Sequence, residues 1–432
     1  MFPLLVNAQQ YDWGRPAAKS TVYKLLKSNR GWVKELEPYV ELGPIDETRP
    51  FAELWVGTHP SLPSFVVQSS LCSLEKFLLE HNICRPDNTW LPESTKSLPF
   101  LLKVLSIQKT LSIQAHPDLT LAQKLHRNNP KNYPDENHKP EMAVALTTCE
   151  VLYGFRKLEK IVMALQTHEE IRDACGHEAV ELFLTQVSVV AGERRHLLLR
   201  NLVASLLGQS QEIISSCIFR LLPKMRVSKS SSSNIDDMKY SDLFIRLYEQ
   251  HGIDSGVILS LFLNFITLEP GEALFIAANE PHAYVSGELV EIMSCSDNVV
   301  RAGLTSKHKD VPTLLNMLTF EEADPQNVKF SGKVVENGVV CYTPPVNEFE
   351  LEFVHLKSSR NFQVKSICVV LCLFGYGKIY CSCQGLKRGS DLLPFKEGSC
   401  VCLLENSLCT IENLSSKDLF YCVAHVRHIQ DA

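Results

Sequence analysis

The alternation of hydrophobic and polar residues divides the chain into three stretches. Residues 1–155 contain short apolar runs, such as 51–56 and 100–105, that are separated by frequent Pro and Gly and predict strands. One short helix is predicted over about 73–80, where Leu74, Phe77 and Leu78 share a face. The first stretch is therefore predicted to be mixed and rich in strands.

Around residue 157 the period of the apolar residues changes. Apolar side chains now recur at i, i+3, i+4 and i+7, which is the spacing of one helix face: Leu158, Ile161, Val162 and Leu165. Helical patterning continues through 178–187, 194–207, 211–222 and 240–250. The polar, serine-rich residues 228–234 predict a mobile loop between the last two helices. These patterns predict an inserted helical domain of about 100 residues.

The strand pattern returns from about residue 263. Phe349, Leu351 and Phe353 alternate with glutamates, and 368–374 is a short continuous apolar run typical of a buried strand. Turn residues recur at short intervals, which favours an antiparallel sandwich or barrel.

Composition and charge exclude several classes of protein. The 432 residues are 45% hydrophobic and 21% charged, as in ordinary globular proteins. The net charge of -6 and the lack of a basic stripe argue against nucleic-acid binding, while a small anionic substrate stays compatible with local positive charge. The N-terminus does not have the pattern of a signal peptide, and the longest uncharged apolar stretch, 367–374, is too short to span a membrane. We therefore expect a cytosolic protein without a membrane partner.

Fifteen cysteines, nine of them after residue 340, raise the question of disulfides or a metal clip. Cys381 and Cys383, like Cys400 and Cys402, form C-x-C pairs whose side chains would share one face of a strand. This spacing lacks the two-residue gap of common zinc sites. Reduced cysteines on strands are predicted, with a metal clip as the alternative.

Residues 110–116 contain the clearest candidate chemistry. Polar Thr110, Ser112, Gln114 and His116 alternate with apolar residues, so a strand would present them along one face. Gln114 and His116 would then lie close enough to share a metal ion. Taken alone, however, the alternation favours the exposed face of an edge strand.

Further candidates lie on three other segments. Lys139 and Glu141 would share a strand face, His282 follows a proline, and Asp297 and Arg301 lie close together in the sequence. Taken alone, the lysine and glutamate favour a surface ion pair and the histidine favours a loop position, and Asp297 and Arg301 could form a simple salt bridge. Together, two His, one Glu and one Gln form a set of nitrogen and oxygen ligands that suits zinc, and also iron(II), manganese or cobalt. The residues alone thus predict a mononuclear metal site on a β scaffold.

These segments resemble the type I mannose-6-phosphate isomerases. The resemblance rests on ordered matches from the N-terminus to the last third of the chain, at 9–14, 51–60, 98–106, 111–117, 133–135, 138–142, 281–284, 295–298, 300–305 and 342–346. It implies a mainly β fold with an inserted α domain. A cupin-type jelly-roll catalytic domain would cover 1–156 plus 261–325, the helical domain 157–260, and a second C-terminal jelly-roll domain 326–432.

The resemblance also implies a site and a reaction. One zinc ion per chain would be held by residues that match the family's ligands: Gln114, His116, Glu141 and His282. A monomer would interconvert mannose 6-phosphate and fructose 6-phosphate through a cis-enediol, at the entry to GDP-mannose synthesis. Arg301 matches the family's proposed catalytic arginine, and Lys139 and Asp297 are candidates for the proton transfers, with the general base left open.

Four further residues are candidates for contact with the sugar phosphate. Ser112 and Lys103 could contact the sugar or its phosphate, although a lysine on an apolar strand could also extend to solvent. Tyr284 and Trp13 are candidates to line the pocket, with aromatic packing as the alternative.

Two other functions are compatible with part of this ligand set. Two His and one carboxylate also occur in iron(II) cupin oxygenases, but a fourth ligand and a Lys/Arg setting argue against that function. A non-catalytic sugar-phosphate sensor would be expected to have lost ligands, and here all four are present.

Overall fold

The chain is mainly β, with its helices concentrated in the middle. The computed structural model describes residues 1–68, 70–81, 97–382 and 391–427. Within these ranges there are 24 strands and eleven α-helices, besides two short 3-10 helices at Ala17–Lys19 and Ser260–Phe262. The mixed, strand-rich flanks and helical middle predicted from the sequence are confirmed.

The strands are β1 (Phe2–Leu5), β2 (Asn7–Gln9), β3 (Glu53–Val56), β4 (Phe65–Val66), β5 (Cys72–Ser73), β6 (Phe100–Ile107), β7 (Ile113–Ala115), β8 (Glu141–Ala145), β9 (Cys149–Phe155), β10 (Leu263–Leu268), β11 (Ala273–Ile276), β12 (His282–Ser294), β13 (Val300–Gly303), β14 (Lys329–Phe330), β15 (Lys333–Glu336), β16 (Val339–Tyr342), β17 (Glu350–Leu356), β18 (Ser359–Gln363), β19 (Cys368–Phe374), β20 (Tyr376–Ser382), β21 (Asp391–Lys396), β22 (Cys400–Leu403), β23 (Leu408–Asn413) and β24 (Leu419–His425).

The helices are α1 (Thr21–Leu36), α2 (Leu74–Glu80), α3 (Leu119–Asn128), α4 (Leu158–Thr167), α5 (Glu169–Cys175), α6 (His177–Gln186), α7 (Glu193–Leu207), α8 (Gln211–Ser231), α9 (Ile235–His251), α10 (Ser255–Leu259) and α11 (Val311–Met317). In the described part of the chain no single helix is both long and apolar enough to cross a membrane, although the bent pair α7–α8 together meets that measure.

The long strand β12 organises the eleven-stranded sheet. Its second half pairs with β6 on one side and β8 on the other, while its first half pairs with β7 and β9. β13 is attached through β7, and β10 through β9. Residues from five distant segments are thereby brought around one strand.

A nine-stranded sheet joins the two ends of the chain. Its order is β15-β16-β17-β24-β19-β22-β1-β4-β5, so the N-terminal strand pairs with a C-terminal one, with Phe2 opposite Cys402. A four-stranded sheet, β18-β23-β20-β21, completes the C-terminal part. The division into three domains stays a prediction, and the N-terminal strands β1, β4 and β5 lie in the sheet of the C-terminal segment.

Two helices of the first stretch, α1 and α3, were not predicted. The side chain of Ser20 accepts a hydrogen bond from the backbone N–H of Tyr23 and so caps α1. Its buried side chains Val22, Leu25 and Leu26 follow the helical spacing, but charged and amide residues interrupt the apolar pattern.

The prediction that α8 ends at residue 222 is wrong, and the loop predicted over 228–234 is confirmed only for 232–234. The helix continues through Pro223 to Ser231. Buried Leu221 and Met225 hold it against the hydrophobic core on both sides of the proline. In its last turn the hydroxyls of Ser230 and Ser231 donate to carbonyls one turn earlier, which satisfies these side chains within the helix.

The prediction of reduced cysteines is wrong for one pair. Cys381 on β20 lies directly opposite Cys409 on β23, with Cα atoms 4.2 Å apart, and the two form a disulfide. Cys383, the second member of the first C-x-C pair, lies outside the described residues. Among the described residues no cysteine belongs to a group of three potential metal ligands, so nothing supports the metal clip.

Candidate metal centre and adjoining pocket

Three predicted ligands converge on one buried point. His116 follows β7, Glu141 begins β8 and His282 begins β12. One potential ligand atom from each lies within 4.8 Å of the others, and all three side chains are buried. The convergence follows from the pairing of β12, because its first residue lies opposite Gln114 and its Met293 lies opposite Glu141.

Backbone carbonyls orient both imidazoles. Nδ1 of His116 lies 2.8 Å from the carbonyl oxygen of Asn298, and Nδ1 of His282 lies 3.0 Å from that of Glu280. Because a carbonyl oxygen only accepts, each Nδ1 carries the proton and each Nε2 presents a lone pair. The Nε2 atoms lie 3.3 Å and 3.5 Å from the oxygens of Glu141.

The donor set fits a cation. Nε2 of both histidines and Oε2 of Glu141 are buried and have no hydrogen-bond partner among the described residues. The distances to Glu141 would describe ion pairs only with protonated histidines, but burial lowers the pKa of His116 to about 4. Lys139, whose Nζ lies 3.4 Å from Oε1 of Glu141, favours the ionised form of this carboxyl group. Unpartnered acceptors facing one another suit zinc or another divalent metal.

Gln114, the fourth predicted ligand, lies next to these three residues. It is opposite His282 in the β7–β12 pair and opposite Arg301 in the β7–β13 pair. Its side-chain oxygen accepts a hydrogen bond from the hydroxyl of Ser112 at 3.2 Å. The polar residues predicted to share a face over 110–116 therefore lie at the metal centre and its cavity, although only Ile113–Ala115 is a strand.

A cavity of about 500 Å³ opens beside Glu141. This is within the range of about 300–1,000 Å³ typical of small-molecule sites. Nine of the eleven residues predicted for the site line it: Trp13, Lys103, Ser112, Gln114, Lys139, Glu141, Tyr284, Asp297 and Arg301. The other two, His116 and His282, contact Glu141.

Lys103 is buried between two carboxylates. Its Nζ lies 3.0 Å from Glu291 and 3.4 Å from Glu53, and 5.2 Å from the centre of the Trp55 ring. Burial alone would lower the pKa of Lys103, but the charges of Glu291 and Glu53 raise it. The alternative that this lysine extends to solvent is therefore wrong. The hydroxyl of Tyr284 donates to Glu291 at 2.9 Å, so it combines core packing with a place in the cavity wall.

Two more charged residues of the cavity have partners. Lys139 lies 3.4 Å from an oxygen of Glu141, which confirms that the two share a face. Asp297, about half exposed, lies 3.4 Å from Nε2 of buried His59. The hydrogen bond from His59 lowers the pKa of Asp297 and favours its ionised form.

Three cations of the cavity are unpaired. Arg301 is half-buried, and Lys109 and Lys307 are exposed at the rim. Within the described ranges no carboxylate lies at ion-pair distance from any of them. Burial lowers the pKa of Arg301 without removing its charge at neutral pH. An anionic ligand would supply the missing partner.

Several residues of the cavity were not predicted from the sequence. Glu291, Glu53 and His59 form its polar inner wall, and Gln250 and His251 reach it from the end of α9. Glu291 could have been predicted, because a carboxylate inside a long apolar strand is seldom buried without a partner. The others depend on contacts between distant segments.

Comparisons with known proteins agree with the geometry. Residues 1–158 match the family model of the catalytic domain of type I phosphomannose isomerase. The chain is 39% identical over 361 residues to the mannose-6-phosphate isomerase of Schizosaccharomyces pombe, covering 81% of this chain and 82% of that protein. The chain belongs to the mannose-6-phosphate isomerase family. The mouse (Mus musculus) member is 38% identical over 83% of each chain.

Solved structures of mannose-6-phosphate isomerases have the same fold. Two of them each cover 99% of this chain and 100% of their own, with a TM-score of 0.77 and 25% identity. One is a mannose 6-phosphate isomerase bound with zinc and yttrium, and the other is the Salmonella typhimurium protein bound to fructose 6-phosphate and zinc. The resemblance stated from the sequence is confirmed.

Proposed function

We propose that this chain is a zinc-dependent aldose–ketose isomerase that interconverts mannose 6-phosphate and fructose 6-phosphate through a cis-enediol. The observation that carries the proposal is the buried group of His116, Glu141 and His282, whose unpartnered acceptors meet beside a cavity with unpaired cations. Membership of the isomerase family and solved relatives with zinc and fructose 6-phosphate support it.

His116, Glu141 and His282 hold the metal, with Gln114 as the fourth ligand. When bound, zinc polarises sugar oxygens and stabilises negative charge on them. The carbonyls of Asn298 and Glu280 keep both imidazoles in the tautomer that leaves Nε2 free.

The isomerisation moves a proton between C1 and C2. Four residues around the cavity have separate roles in this reaction. Arg301 carries a fixed charge without a carboxylate partner among the described residues, which suits stabilisation of an enediol oxygen or attraction of the substrate anion. Lys139 carries a proton between sugar oxygens, and its contact with Glu141 supports this role. Asp297, kept ionised by His59, is a base for the ring-opening step. Glu291 is a further candidate for the C–H proton, because burial raises its pKa despite Lys103.

The remaining predicted residues shape the pocket. Ser112 reaches the sugar beside Gln114, and Trp13 and Tyr284 form apolar wall. Lys103 acts mainly by holding Glu53 and Glu291 in place, since its charge is already matched.

The finer fold assignment belongs to the same proposal. The two-sided pairing of β12 supports a cupin-type jelly-roll around the metal centre, within the domain of residues 1–156 plus 261–325. The helical domain, 157–260, and a second jelly-roll at 326–432 complete it. We assign the chain to the entry of GDP-mannose synthesis as a cytosolic monomer.

A coupled assay tests the proposal. Purified protein is incubated with mannose 6-phosphate, and fructose 6-phosphate is measured with and without a chelator. Activity that is lost on chelation and restored by zinc is expected. Bound iron with oxygen uptake would instead indicate an oxygenase, and binding of mannose 6-phosphate without conversion would indicate a sensor.

A further inference from the structure

The chain leaving the helical insertion touches two loops that carry unpaired lysines of the cavity. This return segment, residues 250–256, runs from the end of α9 into the start of α10. One loop contains Lys109, and the other contains Lys307 after β13. Both lysines line the cavity, so the segment contacts the parts of the chain that present positive charge there.

The first contact fixes the loop of Lys109. The side-chain oxygen of Gln250 accepts a hydrogen bond from the backbone N–H of Thr110 at 2.9 Å. On the other side, the backbone N–H of Lys109 donates to the carbonyl of Trp13 at 3.1 Å. The backbone on both sides of the Lys109 side chain is therefore anchored.

The second contact fixes the loop of Lys307. Oδ1 of Asp254 accepts hydrogen bonds from the backbone N–H groups of Gly256 at 2.7 Å and Leu304 at 2.8 Å, while Oδ2 lies 3.4 Å from Nζ of Lys309. Leu304 has a φ of 55°, a left-handed conformation that costs a branched side chain free energy. One carboxylate thus bonds both the return segment and the left-handed residue in the turn after β13.

The junction beneath this carboxylate leaves no room for adjustment. A Cβ atom on Gly303 would lie 2.6 Å from Cα of Gly256, and one on Gly256 would lie 2.7 Å from the backbone nitrogen of Leu304. Distances this short occur only where two backbones pack directly. The position of the return segment is therefore transmitted to the turn that leads to Lys307.

We propose that Asp254 and Gln250 are positioning residues for phosphate recognition, which set Lys307 and Lys109 at the distance required by the phosphate of a sugar phosphate. The inference rests on the proposed function and deepens it: the helical insertion, through its return segment, determines affinity for the phosphate end of the substrate. Neither residue needs to touch the substrate.

The test compares Asp254→Ala and Gln250→Leu with the wild-type, zinc-loaded full chain. In both variants KM for mannose 6-phosphate and Kd for inorganic phosphate by calorimetry are expected to rise about tenfold, with kcat within about threefold and zinc content unchanged. Asp254→Asn retains an oxygen that can accept both N–H groups, so it should remain within about threefold of wild type.

A double-mutant cycle separates positioning from general damage. If Asp254 acts through Lys307, Asp254→Ala should weaken phosphate binding much less in a Lys307→Ala background than in wild type. Asp173→Ala is the matched control, because it removes an ion pair to Arg220 within the helical segment that touches neither loop. Unchanged phosphate affinity in Asp254→Ala and Gln250→Leu, or full additivity with Lys307→Ala, would overturn the inference.

Failure of the proposed function gives a different result. A wild-type chain that binds inorganic phosphate but does not convert mannose 6-phosphate would refute the isomerase, while the binding constants of the variants would still decide the inference. Should Asp254→Ala fail to fold, Gln250→Leu decides alone, since its contact is with the other loop.

Discussion

Replacing Lys103 with methionine is expected to lower the free energy of unfolding by about 3–5 kcal/mol, the range for breaking a buried ion pair from one side. At an effective dielectric constant of about 20, charges 3.0 Å and 3.4 Å apart attract each other by about 5 kcal/mol per pair. Part of this attraction offsets the cost of burying the charges and the repulsion between Glu53 and Glu291. Methionine has a similar volume, so the loss is electrostatic rather than a packing defect.

The loss of unfolding free energy in Lys103→Met should increase as pH rises. Burial already raises the pKa of Glu291, and removal of the lysine raises it further. A carboxyl group with a raised pKa in the folded state contributes stability below its unfolded pKa and loses it as pH rises. The deficit of the variant should therefore be larger at pH 8 than at pH 5.

Urea unfolding of wild type and Lys103→Met at pH 5 and pH 8, followed by circular dichroism, measures the deficit. Lys76→Met is the control, because Lys76 is exposed and forms an exposed ion pair with Glu80, whose loss should have no measurable effect. Adding Glu291→Gln to Lys103→Met should recover part of the lost stability. A deficit below about 1 kcal/mol, or one that does not change with pH, would refute this account of the cluster.

Three further predictions concern the pocket and the C-terminal sheets. Arg301→Ala should lower kcat by about 10²–10³ with zinc content unchanged, and wild-type turnover would remove the residue from catalysis. His59→Ala should raise the pKa of Asp297, so the acidic limb of the kcat/KM profile should move to higher pH; an unmoved limb would contradict the role of this pair. Replacing Cys381 and Cys409 with serine should cost about 2–4 kcal/mol in the oxidised protein, and a loss that persists under reducing conditions would exclude the disulfide as its cause.

The alternation of polar and apolar residues was sufficient to predict contacts between side chains that are close in the sequence. Alternation placed Lys139 and Glu141 on one face, and the 3.4 Å contact between them confirms it. It also placed Ser112 beside Gln114, as their hydrogen bond confirms. In both pairs the two residues are separated by one position, so the geometry of an extended chain fixes their relation.

Contacts across long separations were not predictable from such patterns. Asn298 orients His116 across 182 positions, and Ser106 bonds Glu288 across the same separation. The register of β12 decides which carboxylates are buried together, and a shift of one residue would turn Glu291 to the opposite face. Periodicity predicts that a strand exists, but pairing and register depend on the whole fold.

The distribution of charge in the cavity makes some of its cations more attractive to a phosphate than others. Lys103 and Lys139 lie beside carboxylates of the inner wall, so their attraction for a further anion is largely cancelled. Arg301, Lys109 and Lys307 line the same cavity without such partners among the described residues. A phosphate therefore gains more from the second group than from the first, although the chain as a whole carries a net charge of -6. Whether a cation is paired with a carboxylate, rather than how many cations line the cavity, therefore decides where a phosphate is attracted most strongly.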